Sequence, residues 1–191
     1  ETFKDYKIYK INACAELAKI IISGEIIALM QGRSEVGPRA LGHRSIIARP
    51  DIPNLKNYLN AHVKFREDFR PYGCTVAWDD AHEFFDVDEG FENPFMSFAV
   101  PVREKYKDIL KDVMHIDGTS RMQTIHREQD EFLYSLLKEL KKGGIAPIVL
   151  NTSLNVMNEP ILENVADAKR FFETSILKTL VVGNYLVQKE K

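Results

Sequence analysis

Two apolar rhythms take turns along this chain: compact runs of apolar residues, and longer stretches in which they recur every three or four positions. Ala13–Ile22 has the second rhythm behind Asn12, a cap residue, with Gly24 beyond it, and predicts an amphipathic helix. Glu25–Gln31 follows as a buried strand. Asp51 and Pro53, ahead of Leu55, Tyr58 and Leu59, predict a second helix that ends near the charged link Lys64–Arg70, before Pro71. Cys74–Trp78, Phe95–Val102 and Met122–Ile125 read as strands. Gln129–Lys142 predicts a helix with Phe132, Leu133, Leu136, Leu137 and Leu140 on one face and Gly143-Gly144 as its stop. Ile145–Leu150 predicts a strand feeding the polar segment Asn151–Glu159. Asn164 opens a helix through Phe171 and Phe172, and Leu180–Val187 closes the chain as a strand interrupted at Gly183. Strands and helices interleave without internal repeats, which predicts an α/β fold, one domain built on a mixed sheet flanked by helices.

With 191 residues and 45% hydrophobic content, the chain is long enough for one well-buried domain without covalent staples. A net charge of −2 gives no general attraction to nucleic acid or to an anionic membrane, so the basic residues matter through their placement. That placement is uneven: Gly32–Tyr72 holds eight Lys/Arg against four Asp/Glu. Asp79–Glu92, with seven acids and no Lys or Arg, reads as a solvated loop or short helix. Cys14 and Cys74 form no metal-type pair, and no charged-then-apolar leader is visible, so a reduced, cytoplasmic protein is expected. The apolar runs are too short to span a bilayer. The chain starts at Glu1 without a methionine, which suggests a piece of something longer.

Candidate chemistry is concentrated in Gly32–Ser45, GRSEVGPRALGHRS, where Arg33, Arg39 and Arg44 sit among three glycines directly behind an apolar run. Glycine admits close backbone approach and Pro38 sets a turn, while arginine forks match the oxygens of phosphate or carboxylate. A solvated charge cluster is the competing reading. The segment Asn151-Thr152-Ser153-Leu154-Asn155 offers amides and hydroxyls that can bond phosphate oxygens or a ribose, or can serve as turn and cap groups. Lys64, Arg66 and Arg70 form a second cationic group, and Asp117–Arg121 a tight turn that ends in another arginine. Five scattered histidines show no ligand spacing, so no zinc or iron site is expected here. There is no P-loop, no GxSxG and no Cys/His proximity, so phosphate binding would rest on an arginine and amide cage.

GRSEVGPRALGHRSI, FREDFRPYG, HIDGTSRMQT and LNTSLNVMNEPI, in this order, closely resemble the C-terminal region of the carbamoyltransferase family that includes NodU, CmcH and TobZ. The match runs from about Ala15 to Val187. The resemblance implies a YrdC-like fold, a twisted mixed sheet with a concave nucleotide site. It also implies that residues 1–191 are the second domain of a longer polypeptide, preceded in the family by an actin-like ATPase-type domain carrying an iron site and the acceptor pocket. The implied chemistry takes ATP, with magnesium, and carbamoyl phosphate to a carbamoyl-adenylate, whose carbamoyl group the partner domain passes to a hydroxyl or amine.

By similarity, Arg39, Lys64, Arg70 and Arg121 would clamp the phosphates, Asn151 and Ser153 would bond the adenylate phosphate or the carbamoyl group, and Arg33, Arg66 and Asn155 would support them. The family usually has Arg-Gly or Asn-Gly before Glu-Pro, whereas this chain has Met157-Asn158. Asn tolerates the left-handed conformation that Gly favours, so the turn is expected to survive. Two alternatives belong to the same fold: a nucleotide- or RNA-binding module without turnover, and threonylcarbamoyl-adenylate synthesis for tRNA. Few aromatics interleave with Lys64–Arg70, which argues against RNA.

Overall fold

A computed structural model describes residues 2–11 and 14–190; the expected cap Asn12 and its neighbour Ala13 lie outside the described residues. The helix they were to open is α1 (Cys14–Ile22), preceded by an unforeseen strand, β1 (Lys7–Lys10). In order there follow β2 (Ile27–Met30), β3 (Arg44–Ala48), α2 (Leu55–Leu59), β4 (Gly73–Ala77), α3 (Ala81–Phe84), β5 (Val100–Pro101), α4 (Lys107–Leu110), β6 (Thr119–Ser120), β7 (Met122–Ile125), α5 (Glu131–Lys142), β8 (Ile148–Ser153), α6 (Val165–Thr174), β9 (Thr179–Val182) and β10 (Tyr185–Gln188). Eight strands form one mixed sheet in the order β1-β10-β9-β2-β3-β8-β4-β7, and β5 and β6 pair separately. Parallel pairing occurs at β2–β9 and at β4–β7; the other ladders of the large sheet are antiparallel. This is the expected α/β architecture with a mixed sheet flanked by helices.

Strand alternation divides the core into two. Ile27, Leu29, Ile47, Val149 and Val181 point toward α1 and α5, packing on Leu17, Ile21, Leu133, Leu136, Leu137 and Leu140. Their immediate neighbours Ala28, Met30, Ile46, Leu150 and Leu180 face the other layer, with Leu55, Leu59, Phe171 and Phe172. Asp130 caps α5 by accepting from the Leu133 amide at 2.9 Å. Asn164 and Asp167 form a reciprocal capping box at the start of α6, so the predicted opening residue is the cap itself.

Several readings need correction. Phe95–Val102 is a strand only at Val100–Pro101, because the buried Asn93 takes over the local backbone: its amide donates to the carbonyls of Phe98 and Met122, and its oxygen accepts from the amides of Ser97 and Phe98. The acidic stretch is not wholly solvated. Asp80 is buried and bonded to Lys138 and Lys141, and Phe84 and Phe85 are in the core. Leu180–Val187 is a hairpin of β9 and β10, turning at Gly183 with φ 55°.

Arg44 also departs from expectation. It begins β3, is 3% exposed, and spends its guanidinium on six carbonyl oxygens, those of Gln31, Gly32, Arg33, His43, Leu162 and Glu163. It ties the end of β2 to the segment ahead of α6 and is not available to a ligand. Replacing it by Met would strip buried carbonyls of their donors, so Arg44→Met is expected to cost about 3 kcal/mol in urea unfolding; a change within experimental error would refute this structural assignment.

Candidate functional site

Antiparallel pairing brings segments from four distant parts of the chain to one end of the sheet. Ser153, the last residue of β8, lies opposite Ser45 near the start of β3; Asn151 lies opposite Gly73, the first residue of β4; Cys74 lies opposite Met122, the first of β7. The segments leading into β3, β4 and β7 therefore converge on the tail of β8. They carry Arg39, then Arg66 and Arg70, then Arg121, and these four line one hollow of about 380 Å³ with Asn151 and Ser153. The polar triplet Asn151-Thr152-Ser153 is strand rather than the loop expected after it, which gives its side chains a fixed position on the ladder.

The charges in this hollow are poorly balanced. Among the described residues, Arg39, Arg66 and Arg121 have no acidic partner, and Arg70 has only a half-exposed contact with Glu67 at 3.7 Å. Arg121 has its pKa lowered, by burial first and by Arg39 second. Arg66 is instead held by neutral groups. Asn60, fully buried in the wide π-helical turn Asn60–Lys64 that extends α2, accepts at Oδ1 from Arg66 Nε at 2.7 Å and from the Tyr72 hydroxyl at 2.6 Å. Its Nδ2 donates to the carbonyls of Asp68 and Arg70. The Arg66 guanidinium also lies 4.6 Å over the Tyr72 ring, whose hydroxyl pKa is pushed up to about 12 by burial. Sequence reasoning missed Asn60: a lone Asn inside a helical pattern carries no signal, and its partners lie six to twelve residues on.

Three other sequence candidates have different surroundings. Lys64 is 4% exposed, and its ammonium donates to Ser153 O and Oγ and to Asn155 O and Oδ1 at 2.7 to 3.1 Å. It stands behind Ser153 instead of facing the hollow. Asn155 belongs to the same knot: its Oδ1 also accepts from the Ser153 hydroxyl, and its Nδ2 donates to Glu159 O. Arg33 is exposed and outside the hollow; its carbonyl accepts from Arg44, while Arg39 is kept in place by a loop stapled at Glu35, whose carboxylate takes the amides of Leu41 and Arg44. Asn158 has φ 64°, so it takes the left-handed conformation expected of it ahead of Glu159-Pro160.

Gly73 sits where a Cβ would come 2.7 Å from the Arg121 carbonyl, so the floor of the hollow closes only with glycine there. A second cavity of about 320 Å³ shares Arg39 and is lined by Val36, Leu41, Phe95 and Ile125 with Gln123 and Gln129. A third, of about 330 Å³, lies at the opposite end of β2 beside Ile26 and Leu55, with Glu25 and Lys178 as its only charged lining. Among the described residues no group of three or more His, Cys, Asp or Glu could hold a metal ion, and no helix is long and apolar enough to cross a membrane.

Two predictions follow from this geometry. Asn60→Ala removes four hydrogen bonds that shape residues 66–72, and it should weaken phosphate binding at the hollow at least tenfold while costing about 2 kcal/mol of stability; calorimetric titration and urea unfolding measure both. Burial, with Arg66 and Arg70 adding to it, pulls the Lys64 pKa from its ordinary 10.5 to about 7. Across that window the unfolded chain holds a proton that the folded protein has released, so this amine makes stability rise with pH and fall as pH drops toward neutrality. The stability difference between wild type and Lys64→Met should therefore shift in favour of wild type from about pH 7 to about pH 10; parallel profiles would contradict it.

Comparison with known proteins agrees with the motifs. Residues 18–189 match the model of the family described as Carbamoyltransferase C-terminus. The chain is 45% identical over 179 residues to Nodulation protein NolNO of Sinorhizobium fredii, covering 93% of this chain and 26% of that protein. It is equally identical over the same length to Nodulation protein NolO of Bradyrhizobium diazoefficiens, 33% of which is covered. Nodulation protein U of Rhizobium tropici is 40% identical over 153 residues, 80% of this chain and 26% of that protein. The chain thus spans about a quarter to a third of these relatives. Among solved structures, full-length HypF in its phosphate- and nucleotide-bound form has the same fold, with a TM-score of 0.54 at 13% identity over 95% of this chain and 22% of that one. By its family match and its relatives, the chain belongs to the carbamoyltransferase C-terminus family.

Proposed function

We propose that this domain binds ATP and carbamoyl phosphate and forms a carbamoyl-adenylate, which a preceding domain of the same polypeptide uses to carbamoylate a hydroxyl or an amine. The observation that carries this reading is the convergence of Arg39, Arg66, Arg70 and Arg121 on one hollow with almost no acid to neutralise them. Such a hollow suits a polyanion. In the reaction, hydrolysis of carbamoyl phosphate consumes water and yields phosphate and carbamate. A carbamate oxygen then attacks the α-phosphorus of ATP, and the bond to the bridging oxygen breaks as pyrophosphate leaves. This chemistry asks little covalent help of the protein and much alignment and charge neutralisation, which arginine forks supply. Magnesium would travel with the nucleotide phosphates, and an iron ion belongs to the preceding domain in this reading.

The second cavity supports a nucleoside beside the phosphates, since it shares Arg39 and offers the apolar walls of Val36, Leu41, Phe95 and Ile125 with Gln129 at hand. A covering domain is supported by exposed apolar side chains around the mouth: Val36 and Phe95 at the second cavity, and Phe65 and Met157 in a shallow depression shared with Arg66. HypF, of the same fold, was solved with phosphate and nucleotide bound.

The test is exchange of labelled pyrophosphate into ATP by the full gene product, which should depend on carbamoyl phosphate. Exchange that instead requires threonine and bicarbonate would assign the tRNA-directed reaction, and salt-sensitive RNA binding without exchange would assign a binding module. Arg121→Ala should lower the carbamoyl phosphate-dependent rate by roughly a hundredfold, the usual cost of about 3 kcal/mol for one preorganised donor to a developing anion. An undiminished rate would remove Arg121 from the site.

A further inference from the structure

Behind the arginines, one chain of neutral groups has its polarity set from a backbone carbonyl. The Leu41 carbonyl can only accept, so the Gln123 side chain must turn its Nε2 toward it, at 3.0 Å, and present Oε1 to the other side. Oε1 then takes the Thr75 hydroxyl proton at 2.8 Å, which leaves the Thr75 oxygen as an acceptor for Asn151 Nδ2 at 2.9 Å. The same Nδ2 lies 3.3 Å from Gln123 Oε1. Turning the Asn151 amide over would set two carbonyl oxygens against each other and strand Gln123, so the amide has one orientation. Its Oδ1 is consequently left over, buried and without a partner, on a residue that lines the arginine hollow and is itself 3% exposed.

An unpaired buried acceptor is costly unless something donates to it. The arginines do not fill the role, for Asn151 Oδ1 has no hydrogen-bond partner among the described residues. Inorganic phosphate or a nucleotide phosphate, rich in acceptors, would meet the arginines well and Oδ1 badly. A ligand that carries its negative charge at one end and an N–H at the other satisfies both.

We infer that Gln123 and Thr75 are positioning residues that fix Asn151 with its carbonyl oxygen toward the ligand, making the hollow selective for an acyl phosphate bearing an amide NH2 over one bearing a methyl. This inference rests on the proposed carbamoyl phosphate reading of the same site. Neither Gln123 nor Thr75 lines the arginine hollow; each acts on the acyl phosphate through the orientation of Asn151. An acyl phosphate without an N–H leaves this acceptor unpaired beneath the bound ligand, and discrimination should be correspondingly large.

The experiment titrates the full gene product with carbamoyl phosphate, acetyl phosphate and inorganic phosphate, in wild type, Thr75→Val and Gln123→Leu. Wild type should bind carbamoyl phosphate roughly tenfold or more tighter than acetyl phosphate. Both variants should bring that ratio close to one while leaving inorganic phosphate affinity unchanged, a pattern that loosened packing would not give, since it would weaken all three ligands together. A wild-type ratio near one, or variants that lose the three ligands in parallel, would overturn the inference and leave the adenylate reading standing. Binding of neither acyl phosphate, with nucleotide still bound, would overturn both. Should one variant fail to fold, the ratio in the other decides.

Discussion

Like charges that must stay close without counterions are the constraint on which this molecule's working end depends. Arg39, Arg66, Arg70 and Arg121 face one hollow, Lys64 stands just behind it, and the nearest acid in contact is the half-exposed Glu67. Left to themselves, such side chains would swing into water. Arg66 and Lys64 are restrained by neutral dipoles that add no opposing charge: the Asn60 amide on residues 66–72, the Tyr72 ring under Arg66, and the Ser153 and Asn155 oxygens around Lys64. Had acids done this work, the hollow would be neutral and indifferent to anions. Burial first, and Arg66 and Arg70 second, depress the Lys64 pKa, and a bound anion would oppose that shift by favouring the protonated amine.

The sheet makes the arrangement possible. In an all-parallel sheet the starts and ends of strands lie at opposite edges, so segments leading into strands could not meet a strand's tail. Here β8 runs antiparallel to both β3 and β4, so its Asn151–Ser153 tail comes to rest between the segments leading into them. β7, parallel to β4, adds Arg121 at the same level. Residues separated by more than a hundred positions thus become neighbours through register alone, and the loops need only cover short distances. The close approach of Gly73 to the Arg121 carbonyl shows how tight that junction is.

Much of this was legible in the sequence, for reasons of periodicity and residue type. α5 and α6 announce themselves through spaced leucines and phenylalanines with Asp or Asn at the cap, and β2 through an unbroken apolar run. The cationic segments also stood out, because three arginines amid glycines are an unusual local composition. What stayed hidden depends on partners far away. Arg44 looks like its neighbours Arg33 and Arg39 in sequence, yet its role follows from carbonyls contributed by residues 162 and 163. β1 is four residues, KIYK, with no buried side chain, and only the edge of β10 makes it a strand. Asn60 and Thr75 are single polar residues with apolar neighbours and Gln123 is one of two adjacent polar residues in a short strand, patterns shared by countless structural side chains.

Those hidden residues divide the labour of the hollow. Arginine brings long reach and a permanent charge, and by itself attracts almost any anion of suitable size. Specificity has to come from groups whose donor or acceptor character is settled before the ligand arrives, since a freely turning amide or hydroxyl would adapt to either. The line from the Leu41 carbonyl through Gln123 and Thr75 to Asn151 settles it using the one participant that cannot reverse, a backbone oxygen held in the stapled loop that also carries Arg39. Attraction and discrimination are therefore anchored in the same loop. A distortion of that loop would disturb both, while a change confined to Thr75 separates one from the other.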